Sequence, residues 1–292
     1  LPPNETKIYS VSVVSNTAVE IIWENNPAPD LAAYILYRKD QNSSNYRAIY
    51  TQPANNSTFS LTSNYTDEGL NTLQNTYTYK VQAVDICGYT IPLEQLTAHT
   101  TVNISSVRAG EHIAVSWTPY GGCPVSTYVL YREEPGGSFT YIATLPGDSL
   151  NYLDTTFTCP YPYSYKVMAT DLCGTTYTSY SDTSMTYPLN IFEGQHVDVV
   201  RSTVVDNKTV LTEWKQPLIH PEKVAKFDLY RSTDNTNFTY LTSLPSMITD
   251  YMDNNVDVQN NHYYYKIMVV NTCNISNALS QNTSTIIIKG EM

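Results

Sequence analysis

Tyr77-Thr78-Tyr79-Lys80-Val81-Gln82-Ala83 alternates without a break. Tyr77, Tyr79, Val81 and Ala83 share one side of an extended chain, and Thr78, Lys80 and Gln82 share the other. A period of two with one apolar side marks a strand with one buried face. The same run occurs twice more. Tyr163-Ser164-Tyr165-Lys166-Val167 leads to Cys173 and Tyr263-Tyr264-Tyr265-Lys266-Ile267 leads to Cys273, as the first leads to Cys87. The lysine precedes the cysteine by 7 positions in each case.

Working outward, two further landmarks precede each run in the same order. A tryptophan closes a strand-like stretch at Ile21-Ile22-Trp23, Val115-Ser116-Trp117 and Thr212-Glu213-Trp214. An aromatic-x-Leu-Tyr-Arg stretch follows at Tyr34–Arg38, Tyr128–Arg132 and Phe227–Arg231. The tryptophans lie 94 and 97 residues apart. Such a period is too long for a solenoid repeat and suits a whole sandwich domain of about 100 residues. Turn residues separate the runs at Asn25-Asn26-Pro27, Tyr120-Gly121-Gly122 and Glu134-Pro135-Gly136-Gly137. Many short strands with no amphipathic helix predict an all-β chain of three tandem antiparallel β-sandwiches.

Composition agrees and removes several function classes. The 292 residues include 26 Tyr, are 41% hydrophobic and only 15% charged, a mixture that favours half-wet strands. A net charge of −11 opposes nucleic-acid binding, which draws on clustered Lys and Arg. No apolar run reaches the roughly 20 residues of a membrane span. The chain reads as part of a longer polypeptide.

The order of Trp, Tyr-x-hydrophobic-Tyr-Arg and Tyr-x-hydrophobic-x-Val-x-Ala resembles the fibronectin type III domain, about 95 residues at a time over nearly the whole chain. The resemblance implies domains at 1–99, 100–188 and 189–292. It implies that Trp23, Trp117 and Trp214 fill the cores from the second strand. Tyr77, Tyr163 and Tyr263 then stand as corner tyrosines whose hydroxyls tie back to a backbone carbonyl. The third copy departs most, with 17 residues from Trp214 to Arg231 against 15 in the others.

In such a sandwich the loops after the second and sixth strands share a pole, so the resemblance pairs Cys123 with Cys173. Cys159 and Cys273 read either as a bridge across the second domain junction or as two free thiols, and Cys87 is left over. No Cys-x-x-Cys pair or neighbouring histidine supplies a zinc set, so no metal is expected at the cysteines.

Other chemistry is sparse. His99, His112, His196, His220 and His262 have no metal-binding spacing and read as surface or loop residues. No nucleophile elbow, phosphate loop or dinucleotide fingerprint occurs, so no catalytic residue and no cofactor is assigned. Asp85 and Asp171, with Asn271 in the third copy, read either as calcium ligands or as turn acceptors of backbone N–H groups. The missing EF-hand spacing favours the turn reading. Tyr37, Tyr131 and Tyr230 fall on the face away from the core, beside outward Lys80, Lys166 and Lys266. Cross-strand packing is their plainer role, and an aromatic binding row for sugar is the sharper one.

The stretches Leu36–Asp40, Tyr79–Gly88 and Tyr165–Gly174 resemble the fibronectin-like repeats of large surface proteins from Bacteroidota, gliding-motility-associated and similar to type IX secretion cargo. That resemblance implies an extracellular or cell-surface, outer-membrane-associated bacterial protein. The expected function is a non-enzymatic spacer or adhesin segment that meets a protein or polysaccharide surface. The alternative is an accessory module, spacing or glycan-binding, of a secreted carbohydrate-active enzyme.

Overall fold

A computed structural model describes residues 3–54, 61–157, 159–188, 197–218 and 221–285. The boundary expected at 188/189, His196 and His220 lie at or within stretches outside the described residues.

The first sandwich is built from β1 (Ile8–Ser15), β2 (Ala18–Glu24), β3 (Leu31–Asp40), β4 (Arg47–Pro53), β5 (Thr62–Glu68), β6 (Tyr77–Asp85) and β7 (His99–Thr100). The second comprises β8 (Ile104–Ala109), β9 (His112–Trp117), β10 (Thr127–Glu133), β11 (Thr140–Pro146), β12 (Asn151–Asp154), β13 (Tyr163–Thr170), β14 (Ser179–Tyr180) and β15 (Ser184–Thr186). The third contains β16 (Val199–Val205), β17 (Thr209–Trp214), β18 (Val224–Ser232), β19 (Thr239–Pro245), β20 (Asp250–Asp253), β21 (Tyr264–Asn271) and β22 (Thr283–Ser284).

One topology is used three times. A three-strand sheet, β1-β2-β5 in the first copy, faces a four-strand sheet, β4-β3-β6-β7. The same orders recur as β8-β9-β12 with β11-β10-β13-β14, where β15 also pairs with β13, and as β16-β17-β20 with β19-β18-β21-β22. All strand pairs in these sheets are antiparallel, so each copy is a fibronectin type III-like sandwich. Helix among the described residues is confined to single 3₁₀ turns at Leu93–Gln95, Leu172–Gly174 and Pro221–Lys223.

The cores follow from the alternation. Trp23, Trp117 and Trp214 are buried at the ends of β2, β9 and β17. Each indole meets the first aromatic of the next strand across the sandwich, at 6.0 Å from Tyr34, 5.6 Å from Tyr128 and 5.7 Å from Phe227. Rings offset or tilted at this separation add to the area they bury. A bulge falls at the same step in all three copies, between Leu36 and Tyr37, Leu130 and Tyr131, and Leu229 and Tyr230. It bends the edge strands β4, β11 and β19, which protects an open edge from pairing with another chain.

The chain forms two compact units, Leu1–Phe157 with Tyr161–Leu189, and Asn190–Met292 with the short segment Thr158–Pro160. The first unit holds two sandwiches whose apolar cores run together as one buried cluster from Ile8 to Leu172.

Candidate functional site at the junction of the first two sandwiches

A buried polar group fixes the centre of every sandwich. The arginine of the Leu-Tyr-Arg stretch points inward, where Arg38, Arg132 and Arg231 each place Nη1 2.8 Å from Asp67, Asp154 and Asp253. The second tyrosine of each paired run donates to the same carboxylate: Tyr79 at 2.9 Å, Tyr165 at 2.8 Å and Tyr265 at 2.9 Å. The guanidinium carbon also stands over the ring of Tyr77 at 5.4 Å, Tyr163 at 5.0 Å and Tyr263 at 5.5 Å. Burial pushes the Asp154 carboxyl up, but bonds from the Thr156 N–H, Arg132, the Thr156 hydroxyl and Tyr165 outweigh it and hold the group below its ordinary range. Burial and the bond to Asp154 together push the Tyr165 phenol far up. These groups are structural, since the carboxylates Asp67, Asp154 and Asp253 and the tyrosines that donate to them are buried in the cores.

The corner tyrosines differ from expectation in one respect. Tyr77 and Tyr263 use their hydroxyls to accept backbone N–H groups, from Asn71 at 2.9 Å and Asp257 at 2.8 Å, rather than to bond a carbonyl. Each N–H lies six residues upstream, at a turn whose amides would otherwise be left without acceptors.

The junction of the first two sandwiches starts from β1, Ile8-Tyr9-Ser10-Val11-Ser12-Val13. Val11 and Val13 enter the core, and the serines that alternate with them, Ser10 and Ser12, are buried as well. They are buried because the second sandwich covers the open edge and outer side of this strand. The Val11 N–H donates to the Tyr120 hydroxyl at 3.2 Å, and the Ser179 hydroxyl donates to the Val11 carbonyl at 2.6 Å. Ser10 donates to the Thr178 carbonyl at 2.8 Å, and the Tyr180 N–H donates to Ser12 at 3.0 Å. Tyr9 stacks on Tyr177 with ring centres 4.7 Å apart and planes within 6°. The edge groups of β1 are thus satisfied by a neighbouring domain instead of water.

His99 lies at the middle of this contact. It is 3% exposed, a correction to its reading as a surface residue. Its Nδ1 lies 2.9 Å from the Tyr120 hydroxyl. Burial lowers its pKa to about 4, with Glu5 pulling weakly the other way, so the ring is neutral at pH 7. Gly122, at φ +115°, lies against the ring, where a Cβ would sit 2.6 Å from Cγ. Only glycine lets that loop come so close. Below it, Asn103 Nδ2 bridges the Thr72 carbonyl (3.3 Å) and Asp182 (3.0 Å). Asp182 also accepts the Ile104 N–H at 2.8 Å. Burial raises the Asp182 carboxyl to about 7, against the lowering effect of backbone N–H bonds.

Cys123 is bonded to Cys173 within the second sandwich, beside His99, and Cys159 is bonded to Cys273. Cys87 is exposed and free. A cleft of about 410 Å³ opens beside the first disulfide, lined by Glu5, Lys7, Tyr9, Thr97, His99 and Cys173 among others. Asp85 accepts the N–H groups of Cys87 and Tyr89, both at 2.8 Å, and Asn271 accepts those of Cys273 and Ile275, both at 2.9 Å. These oxygens hold the loop backbone, whereas Asp171 is exposed at a left-handed φ of 51°.

Tyr37, Tyr131 and Tyr230 are half-buried, which corrects their reading as exposed. They stand directly opposite Lys80, Lys166 and Lys266. The lysines lie on other rings: Lys80 over Tyr46, Lys166 between Phe139 and Tyr180, and Lys266 over Phe238, at 4.5 to 5.0 Å. The exposed tyrosines of this face are Tyr141 and Tyr240 on β11 and β19, at 62% and 58%.

No family model matches the chain. Two amylopullulanases match over 86 residues. One, from Thermoanaerobacterium thermosulfurigenes, is 30% identical over 29% of this chain. The other, from Thermoanaerobacterium saccharolyticum, is 33% identical over 28%. The matched stretch spans 5% and 7% of the length of those proteins. The FN1–FN3 domains of chicken CNTN1 align over 97% of both chains at 13% identity with a TM-score of 0.28. The sandwich assignment rests on the strand pairings themselves. Among the described residues no helix is long and apolar enough to cross a membrane.

Proposed function

We propose that the chain is a non-enzymatic spacer or adhesin segment of a larger cell-surface or secreted polypeptide, with modules at 1–99, 100–188 and 189–292. It would hold neighbouring modules at a set separation and present its loops to a protein or polysaccharide surface. The observation that carries this reading is the junction of the first two sandwiches, where a sheet edge, a buried histidine and a stacked tyrosine pair are all given over to holding one domain on the next. A pair built in this way transmits position from one domain to the next. Two disulfides suit an oxidising compartment. Resemblance to Bacteroidota surface repeats extends the proposal to an outer-membrane-associated, type IX-exported protein, and a sorting domain elsewhere in the parent polypeptide would test that extension.

The two amylopullulanases favour a second reading, an accessory module of a secreted carbohydrate-active enzyme. Tyr37, Tyr131 and Tyr230, with the more exposed Tyr141 and Tyr240, are then the candidate glycan contacts. Binding and turnover on a glycan array that includes amylose and pullulan separates the two. The first reading expects no turnover and no binding to amylose or pullulan that depends on Tyr141 and Tyr240. Binding abolished by Tyr141→Ala with Tyr240→Ala supports the second reading, and turnover by this chain defeats both.

A further inference from the structure

We propose that reduction of the Cys123–Cys173 disulfide turns the junction into a binding site for one thiophilic divalent cation of the zinc type, with Cys123 Sγ, Cys173 Sγ and His99 Nε2 as ligands.

The three residues come from two sandwiches of one compact unit, and each offers a ligand atom within 4.8 Å of the others. Two thiolates and an imidazole are a common protein share of a tetrahedral zinc site, with the fourth position open. The cleft lined by Glu5, His99 and Cys173 gives that fourth position room for water. His99 has one ring nitrogen held by a neighbour, as such a ligand needs. Its Nδ1 is committed to the Tyr120 hydroxyl, which leaves Nε2 as the free nitrogen. With a cation on Nε2, Nδ1 carries the ring proton. The Tyr120 oxygen takes the Val11 N–H on one lone pair and has a second for His99. An imidazole held by its other nitrogen is the usual outer support of a metal-bound histidine. Gly122 brings the loop of Cys123 onto the ring.

Access is open from the cysteine side. Cys173 is exposed and Cys123 partly so, whereas His99 is buried. Two external thiols give up two electrons and are joined as a disulfide, while the Cys123–Cys173 bond breaks and each sulfur takes a proton. Cation binding then releases those two protons and closes the same 50-residue loop through the metal. The cation adds His99, so the metal form ties the second sandwich to the last strand of the first, which the disulfide does not do.

The test uses the full chain with Cys87→Ser, Cys159→Ser and Cys273→Ser, so that the only thiols are those of interest. The protein is reduced with a water-soluble phosphine, desalted without air and titrated with Zn²⁺ against a chromogenic chelator; Co²⁺ serves as the spectroscopic probe. The expected result is one cation per chain, a tetrahedral Co²⁺ spectrum with thiolate charge-transfer bands, and no uptake by the oxidised protein. Affinity should fall by at least about tenfold in His99→Gln and in Tyr120→Phe, within the range seen when ligand support is lost. A readout without junction variants is protection of Cys123 and Cys173 from alkylation by Zn²⁺, mapped by peptide mass. Absent uptake, uptake unchanged in His99→Gln, or thiols alkylated equally with and without Zn²⁺ would each overturn the proposal.

Discussion

Replacing Asp154 by alanine removes the carboxylate at the centre of the second sandwich. Asp154 is fully buried and takes four bonds, from Arg132 at 2.8 Å, Tyr165 at 2.8 Å, the Thr156 N–H at 2.9 Å and the Thr156 hydroxyl at 2.8 Å. Without it the Arg132 guanidinium, on a side chain only 12% exposed, keeps its charge and loses its buried partner, with the Thr156 hydroxyl at 3.0 Å and the exposed Glu134 carboxylate at 4.0 Å remaining. Breaking a buried ion pair from one side costs about 3–5 kcal/mol. The orphaned Tyr165 hydroxyl alone accounts for about 1–3 kcal/mol, and the two overlap because they share one acceptor. The expected loss is about 4 kcal/mol, or roughly a thousandfold in the opening equilibrium. Native-state hydrogen exchange reads it locally, through the amides of β9, β10 and β13. Asp253→Ala should give the same loss in β17, β18 and β21. Converting the pair to apolar residues, Arg132→Met with Asp154→Leu, should restore much of the protection, because the buried charges go together. If exchange in Asp154→Ala rises less than about tenfold, the buried group is not what holds the sandwich and the reasoning fails.

Three further outcomes are expected. Removing the Cys123–Cys173 bond with Cys123→Ala and Cys173→Ala opens a 50-residue loop; it should cost roughly 4 kcal/mol in the chain-entropy model, read as a lowered urea midpoint. Tyr120→Phe leaves Val11 N–H and His99 Nδ1 without their shared partner and should cost about 1–3 kcal/mol, with exchange rising in β1 and β7 first. Asp182 has its carboxyl raised to about 7, so the folded chain holds a proton that the unfolded chain has released between about pH 4 and pH 7. Stability from this group is therefore fullest near pH 4 and is lost as pH rises through about 7. Asp182→Asn should flatten the descent, by at most about 4 kcal/mol from the shift and about half that after solvent screening. An unchanged pH profile in urea denaturation would refute it.

The sandwiches were legible in the sequence because two signals agree, the period of two and its threefold recurrence. Trp23, Trp117 and Trp214 stood out as rare residues in matched places. The acidic partners Asp67, Asp154 and Asp253 were missed, although a signal was present. Each closes a Tyr-x-Asp triplet, at Tyr65, Tyr152 and Tyr251, that lies 11 or 12 residues before the tyrosine it binds. A three-residue match is easily passed over beside longer ones. His99 was misread for a different reason. Its burial comes from Tyr120 and Gly122 on the next sandwich, and no local pattern of apolar residues encodes a contact between domains. Ser10 and Ser12 alternate with valines like solvent-facing residues, yet they face a second protein surface. The exposure of Tyr37, Tyr131 and Tyr230 was overestimated because strand alternation gives the face of a side chain and says nothing of the long neighbours that fold over it. The rings that clasp the lysines, Tyr46, Phe139 and Phe238, come from the turns before the edge strands, beyond the reach of that periodicity.

The central functional claim is that the first two sandwiches move as one body. Residual dipolar couplings of backbone amides in the full chain test it most directly. A single alignment tensor should fit β1–β6 and β8–β13 together, and Tyr120→Phe should loosen that fit. Two tensors of different orientation or magnitude for the two sandwiches in the parent protein would contradict the account.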